Sequence, residues 1–142
     1  MPQVSYKRHL WTAVLLTWSL AGCSGGSGVK LVPVEGVVTL DGKPVGDAEV
    51  LFRPAGGRPS GGRTDPEGHY SLSYTREEKG ALIGEHQVTI STYLEADDES
   101  PDPVRQKGRV ESIPQKYNKR TTLKVEVQPD DVVIADFSLE SK

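Results

Sequence analysis

Short stretches in which apolar and polar residues alternate recur from residue 34 to the C-terminus. A period of two gives a β-strand one buried face and one solvated face. We therefore predict strands over residues 34–40, 48–53, 69–74, 84–92, 123–127 and 133–139. The residues expected to face the core are Val34, Val38, Leu40, Ala48, Val50, Phe52, Tyr70, Leu72, Tyr74, Val88, Ile90, Val133, Ala135, Phe137 and Leu139. Six to seven strands separated by turn residues indicate an all-β fold, an antiparallel β-sandwich.

Turn and breaker residues separate these stretches. Asp41-Gly42 readily adopts the positive φ angles that tight hairpins need, and Pro54 ends the second strand because proline has no N–H to donate to a ladder. Residues 95–120 differ from the rest, since they are rich in proline and charge and show no regular period. We predict a long connection there, with room for one short helical turn.

The N-terminus has the composition of an export signal. Lys7, Arg8 and His9 form a positive segment, and Leu10 to Leu20 form an uncharged, largely apolar run of eleven residues. This run is too short to cross a bilayer, which needs about 20 residues. Its length and its position favour the hydrophobic region of a signal peptide over a membrane-spanning helix.

The four residues after this run, Leu20-Ala21-Gly22-Cys23, resemble the lipobox of bacterial lipoproteins. The resemblance implies that the thiol of Cys23 is joined to diacylglycerol and that a peptidase cuts between Gly22 and Cys23. It also implies acylation of the new amino group, for example by palmitate. Two alternatives remain open from the residues: an ordinary signal peptide with a chance cysteine, and an uncleaved signal anchor.

The residues around Cys23 also predict where the protein resides. Ser24 follows the cysteine instead of aspartate, which by resemblance to lipoprotein sorting in two-membrane bacteria implies the outer membrane, with the periplasmic or surface face open. Residues 24–28 have the Ser/Gly composition of a flexible tether. We therefore expect a signal peptide over residues 1–22, an acylated cysteine and tether over 23–33, and one β-domain over 34–142, lipid-anchored in the cell envelope outside the cytoplasm.

Charge and cysteine content narrow the partners of the mature chain. Of 17 Lys and Arg residues, Lys7 and Arg8 lie in the predicted signal, so 15 remain against 20 Asp and Glu and give a net charge of −5. This balance argues against nucleic acid as a partner. Cys23 is the only cysteine, so an intramolecular disulfide is impossible and packing alone must hold the domain together.

The mature chain also resembles the carboxypeptidase regulatory-like domain. The motifs that carry the resemblance are, in order, Val34-Glu35-Gly36-Val37-Val38-Thr39-Leu40-Asp41-Gly42-Lys43-Pro44-Val45, Ala48-Glu49-Val50-Leu51-Phe52, Thr64-Asp65, Gly68-His69-Tyr70 and Gly84-Glu85-His86-Gln87-Val88-Thr89-Ile90. Residues 114–118 and the strand after them are similar to a subgroup of small bacterial lipoproteins with this domain. The resemblance implies a seven-stranded, transthyretin-like (prealbumin-like) Greek-key sandwich. In metallocarboxypeptidases this domain is an accessory that supplies no catalytic residues.

Candidate metal and ion sites do not reach the spacing that such sites need. His69 and His86 lack a third ligand at recognisable spacing, so we expect ordinary strand histidines, no metal site and no cofactor. An acidic group in the long connection could gather Ca²⁺ but lacks the order that aims ligands at one point, and we expect a solvated loop. Its members are Glu95, Asp97, Asp98, Glu99 and Asp102.

Three arginines, one asparagine and two tyrosines are further candidates for binding or crosslinking, and each also fits a purely structural role. Arg53, Arg58 and Arg63 lie in or beside a Gly-rich loop and could bind an anion or an acidic polysaccharide, or could serve solubility alone. Asn118, the only asparagine, lies outside the final strand, so we expect no Lys–Asn crosslink. Carbohydrate binding is weakened because the mature chain has no tryptophan and its tyrosines at 70 and 74 are expected in the core.

Three functions compete at this point. The leading hypothesis is a noncatalytic, membrane-anchored envelope lipoprotein whose sandwich is a structural, adhesion or protein-interaction module, acting through an edge strand or the long connection. The alternative is an envelope module that binds a glycan or a peptide. A hydrolase is the third, although no Gly-x-Ser-x-Gly motif is present and no set of nucleophile, base and orienting residue is visible.

Overall fold

The structure, a computed structural model, describes residues 28–142. The predicted signal peptide, the cleavage site at Gly22 and Cys23, and the lipidation site at Cys23 all lie outside the described residues. In the described part, no helix is long and apolar enough to cross a membrane.

The described chain is almost entirely β-structure. Its strands are β1 (Leu31–Val32), β2 (Val34–Leu40), β3 (Lys43–Pro44), β4 (Glu49–Pro54), β5 (Ser60–Arg63), β6 (His69–Ser71), β7 (Ala81–Leu82), β8 (Gly84–Ser91), β9 (Lys124–Val127), β10 (Val133–Ile134) and β11 (Phe137–Leu139). One short helix, α1 (Pro103–Lys107), and one 3₁₀ turn (Gln115–Tyr117) interrupt the long connection. The all-β prediction is confirmed, and the long connection with a short helical turn is found where the sequence predicts it.

Three sheets form from these strands. One sheet has four antiparallel strands in the order β5-β4-β8-β9. A second sheet is centred on β2, with β6 and β3 along one edge and β10 and β11 along the other. The third is the short antiparallel pair β1–β7, in which Leu31 lies opposite Leu82 and Val32 opposite Ala81. These two strands come shortly before β2 and β8 in the chain, so their pairing lies where β2 and β8 begin.

The second sheet corrects the expectation of a purely antiparallel fold. Strands β10 and β11 run parallel to β2, with Val133 opposite Val34 and Phe137 opposite Val38. The C-terminal segment enters the sheet from the same end as β2, which makes the pairing parallel. Apolar and polar alternation fixes which face a residue occupies but carries no information on strand direction, so the sequence pattern fits both arrangements.

The two larger sheets face each other across one apolar core. Phe52 of β4 and Phe137 of β11 meet edge to face, with their ring centroids 6.2 Å apart. The predicted inward-facing residues are buried, apart from Leu40, Val133 and Tyr74, which are half-buried. Tyr74 is only half-buried because β6 ends at Ser71, and the guanidinium of Arg58 lies 5.9 Å from its ring centroid.

The folded domain begins slightly earlier than predicted. Residues 23–33 were expected to form the tether, but Leu31–Val32 already pairs with β7, and the Val32 side chain is only 2% exposed. Burial of an apolar side chain favours ordering this part of the chain. The first strand therefore begins eight residues after Cys23.

The last predicted strand, residues 133–139, is divided between β10 and β11 at Ala135-Asp136. The carbonyl of Ala135 lies over the inner face of Gly36, 2.1 Å from where a Cβ would stand. The Tyr70 hydroxyl donates a 2.5 Å hydrogen bond to that carbonyl, and the Asp136 carboxylate accepts one of 2.8 Å from the N–H of Val37. The break is therefore fully hydrogen-bonded, but only because residue 36 has no side chain.

We predict that Gly36→Ala destabilises the domain by about 1–3 kcal/mol, because the added methyl group must displace the backbone at Ala135. Gly56→Ala is the matched control, since a Cβ at Gly56 meets nothing within 4 Å. Urea unfolding followed by circular dichroism gives both free energies of unfolding. Equal midpoints for the two variants would contradict the proposed contact.

Candidate functional site

The long connection lies at one end of the sandwich, which we call the distal end. β2, β8 and β11 all end here, at Leu40, Ser91 and Leu139. The opposite end, where β2 and β8 begin beside the β1–β7 pair, is called the tether end. Several surface clefts of the described residues lie at the distal end.

Two sets of hydrogen bonds order the long connection where it leaves and returns to the end of β8. Leu94 and Arg109 exchange backbone hydrogen bonds of 3.0 and 2.7 Å. The second set centres on the carboxylate of Glu111. It accepts hydrogen bonds from the Ser91 hydroxyl (2.5 Å) and from the N–H and hydroxyl of Thr92 (2.9 and 2.8 Å). The N–H of Ile113 also donates to it, at 3.0 Å.

These donors determine the charge state of Glu111. Its partial burial raises the pKa of the carboxyl group, but the hydrogen bonds from Ser91, Thr92 and Ile113 outweigh burial and hold the pKa below its ordinary value of 4.5. Glu111 is therefore ionised at neutral pH. Its carboxylate serves as the acceptor that orders the connection, and among the described residues Oε2 accepts a hydrogen bond from Ser91 alone.

A cleft of about 340 Å³ opens beside this carboxylate. Six residues line it: Ser91, Tyr93, Glu111, Gln115, Asn118 and Lys119. The N–H of Tyr93 donates to the Ser91 hydroxyl at 3.1 Å, which fixes the backbone, while the side chain remains 59% exposed. The Gln115 amide and the Lys119 ammonium group have no hydrogen-bond partner among the described residues. The cleft thus combines an exposed aromatic ring with free polar groups.

A second cavity of about 250 Å³ contains arginines. Arg63, Arg105 and Arg109 line it together with Asp47 and Asp102. Arg63 donates to the Asp47 carbonyl at 3.2 Å, and the Arg109 guanidinium lies 3.6 Å from the Asp47 carboxylate. Because two carboxylates line the same cavity, an anion would meet repulsion as well as attraction.

The arginines singled out by sequence do not form one site. Arg58 lies over the Tyr74 ring near the tether end, whereas Arg63 lies at the other end of β5 with Asp47. Arg53 is exposed on β4. The sequence grouped the three residues by their proximity in the chain, whereas the structure places Arg63 with two arginines of the long connection.

The histidines occupy different environments. Both lie on strands, as expected from the sequence, but only His69, on β6, is exposed, while His86, on β8, is completely buried in the core. Nε2 of His86 lies 2.8 Å from the Leu82 carbonyl, and the ring packs against Phe52 with centroids 5.7 Å apart. Nδ1 is buried with no partner among the described residues.

The acidic residues within 95–102 of the long connection are all exposed in the described part of the chain. There, no group of three or more His, Cys, Asp or Glu residues is arranged to hold a metal ion. Asp97 accepts a hydrogen bond from the Glu99 N–H, and Asp102 caps α1 by accepting one of 2.9 Å from Val104.

Asn118 lines the cleft and donates to the backbone carbonyls of Ile113 and Pro114.

Sequence reasoning missed Tyr93 and Glu111. Tyr93 could have been found, because alternation continued from Ile90 and Thr92 places residue 93 on the outer face of the strand. Glu111 had no such signal, since it lies in an irregular segment and its partners are about 20 residues away in the chain.

Comparisons with known proteins give little to add to this geometry. The chain matches no model of a protein family and no curated protein. Among solved structures it is similar to a 9R-lipoxygenase from Cyanothece, with 17% identity and a TM-score of 0.38; the alignment covers 78% of this chain and 16% of the lipoxygenase chain. The likeness is too distant to support an argument about fold or function.

We predict that Glu111→Gln destabilises the domain by about 1–3 kcal/mol at neutral pH, because it removes a charged acceptor of several hydrogen bonds. The lowered pKa of Glu111 contributes stability above the pKa of the unfolded chain, and this is lost as the pH falls through the folded-state pKa. The variant should therefore lose less stability than wild type below about pH 4.5.

Denaturant unfolding between neutral pH and pH 3 checks both statements. Glu95→Gln is the control, since Glu95 is exposed on the same connection and its side chain makes no hydrogen bond with the described residues. If Glu95→Gln and Glu111→Gln gave the same pH profile, the role assigned to Glu111 would be wrong.

Proposed function

We propose that this chain is a noncatalytic cell-envelope lipoprotein, anchored to a membrane through acylated Cys23. The observation that carries the proposal is the order of segments before the fold: a positive segment, an eleven-residue apolar run, and Leu20-Ala21-Gly22-Cys23. Outer-membrane delivery, suggested by Ser24, is part of the proposal. A thiol-linked diacylglycerol with an acylated amino group would hold the protein firmly, because several acyl chains bind far more strongly than one.

The position of the first strand supports this proposal. Only seven residues separate Cys23 from Leu31, where β1 begins. An anchored domain would therefore stand close to the lipid surface, with its tether end toward the membrane and its distal end available to envelope components.

The distal end supports a role in interaction. On the long connection, Val110 is 85% exposed and Tyr93 is 59% exposed, and exposed apolar residues beside clefts are typical of contact surfaces. The Ser91 hydroxyl has Glu111 beside it, and neither histidine of residues 28–142 is next to it, since His86 lies toward the other end of β8 and His69 is on β6. We propose a structural, adhesion or protein-interaction module.

We further propose that the sandwich is of the transthyretin-like, carboxypeptidase regulatory-like type. Two facing sheets and the buried motif residues on β2, β4 and β8 support this assignment. The eleven short strands reduce to about seven longer ones if β10 with β11, and the two-residue strands with their neighbours, are each counted as one.

We predict that protein isolated from the membrane fraction begins at Cys23 and carries added acyl mass, and that Cys23→Ala abolishes both the processing and the added mass. Intact-mass spectrometry of the two proteins measures this. Detection of the same unacylated mature mass in both samples would overturn the anchor, and the protein would then be a secreted β-domain.

A second candidate function, binding of an envelope glycan, is favoured by the Tyr93 cleft. An exposed tyrosine ring can stack on a sugar ring, while amide and ammonium groups donate hydrogen bonds to hydroxyls. Gln115 and Lys119 offer such donors, and Oε2 of Glu111 offers an acceptor. The sequence analysis argued against carbohydrate binding because it considered only Tyr70 and Tyr74, which were expected in the core, and not Tyr93.

If a glycan binds here, we predict that Tyr93→Ala weakens binding by about 2 kcal/mol, on the order of 30-fold in Kd, because aromatic anchors dominate such contacts. Isothermal titration with fragments of envelope polysaccharide provides the measurement. Val104→Ala is the control, since this exposed residue lies outside the cleft. Absence of heat with wild type would remove the glycan function.

A further inference from the structure

Exposed apolar side chains gather at the tether end. Four of them are between 40% and 62% exposed: Val29, Ile83, Val132 and Ile134. The pairing of Leu31 with Leu82 places Ile83 opposite Lys30, next to Val29. The N–H of Val133 donates to the Pro33 carbonyl at 2.9 Å, which places Val132 beside the junction of β1 and β2. Val29, Ile83 and Val132 therefore lie at the tether end, and Ile134 lies opposite Glu35 near the start of β2. We call these four residues the tether-end patch.

The length of chain before this patch limits what can cover it. Val29 is six residues from Cys23, and six extended residues reach at most about 21 Å. If Cys23 is acylated, the patch cannot move farther than this from the lipid surface. The short tether therefore gives the lipid surface a very high effective concentration at the patch.

The charges at this end do not favour an anionic or a cationic partner. Exposed side chains of both signs are balanced at this end. They are Lys30, Arg58 and Lys124 against Glu85, Asp130 and Asp131, with Lys124 paired to Glu85 at 2.8 Å. Attraction to the surface would therefore come from apolar contact, which is insensitive to salt, rather than from electrostatic binding.

We propose that the tether-end patch rests on the surface of the bilayer that holds Cys23, with Ile83 and Val132 inserted at the boundary between headgroups and acyl chains. This inference rests on the proposed lipid anchor and adds a fixed orientation to it. Strand β8 has eight residues and spans about 26 Å, so the distal end, with Tyr93 and Val110, is held away from the membrane.

Single-tryptophan variants test the orientation. Trp11 and Trp18 are the only tryptophans and both precede Cys23, so the processed chain has none. Ile83→Trp places a reporter on the patch, and Val110→Trp is the matched control at an exposed position of the distal end. Each acylated protein is purified from membranes, checked by intact mass and circular dichroism, and reconstituted into phosphatidylcholine vesicles with or without bromine-labelled acyl chains.

We expect the emission of the Ile83→Trp protein to shift to shorter wavelength and to lose most of its intensity in brominated vesicles, at low and at high salt. The emission of the Val110→Trp protein should not change. An acylated Ile83→Trp protein without quenching would overturn the inference and leave the anchor intact, and equal quenching of both reporters would overturn the orientation. Absence of acyl mass would overturn the anchor and the inference together.

Discussion

The close approach of the Ala135 carbonyl to Gly36 is the constraint on which the two-sheet arrangement depends. A side chain at residue 36 would occupy the same space, and without this approach β11 could not align with the second half of β2. β11 delivers Phe137, whose ring meets Phe52 of the opposite sheet and Tyr70 of its own. The contact at Gly36 therefore decides whether the core is closed.

Polar groups at this contact are satisfied without water. Burial, and to a smaller extent the Asp136 carboxylate, raise the pKa of the Tyr70 hydroxyl, so it remains a protonated donor to the Ala135 carbonyl. An unpaired buried carbonyl would cost about 1–3 kcal/mol. Tyr70 thus contributes apolar area to the core and also supplies the hydrogen-bond donor for the Ala135 carbonyl, at the break between β10 and β11.

The sequence could predict the faces of the strands but not this break. Val133, Ala135, Phe137 and Leu139 keep an unbroken period of two, and Asp136 stands where an outward polar residue is expected. The break therefore leaves no mark in the alternation, and neither does the parallel direction of β10 and β11. Gly36 can be read from the sequence, and a glycine within a strand indicates that another group approaches closely, but it does not indicate which residue approaches.

The difference between local pattern and long-range contact also explains which residues of the candidate site the sequence could predict. Grouping residues by sequence proximity combined Arg58 and Arg63, which β5 separates, because alternation and composition describe only local chain. The position of Tyr93 follows from the alternation of β8, but the role of Glu111 depends on contacts across about 20 residues of irregular chain. No periodic pattern encodes such contacts, since each depends on where the connection returns.

The Glu111 contacts also replace a crosslink that the chain cannot make. With Cys23 as its only cysteine, the protein has no disulfide to close the connection after β8, and closing a loop of this length costs conformational entropy. One ionised carboxylate receives bonds from Ser91, Thr92 and Ile113, and charge-assisted hydrogen bonds are stronger than neutral ones. Because the ionised carboxylate accepts these bonds more strongly than the protonated acid would, the order of the distal end is linked to pH, whereas the core near Gly36 depends on packing.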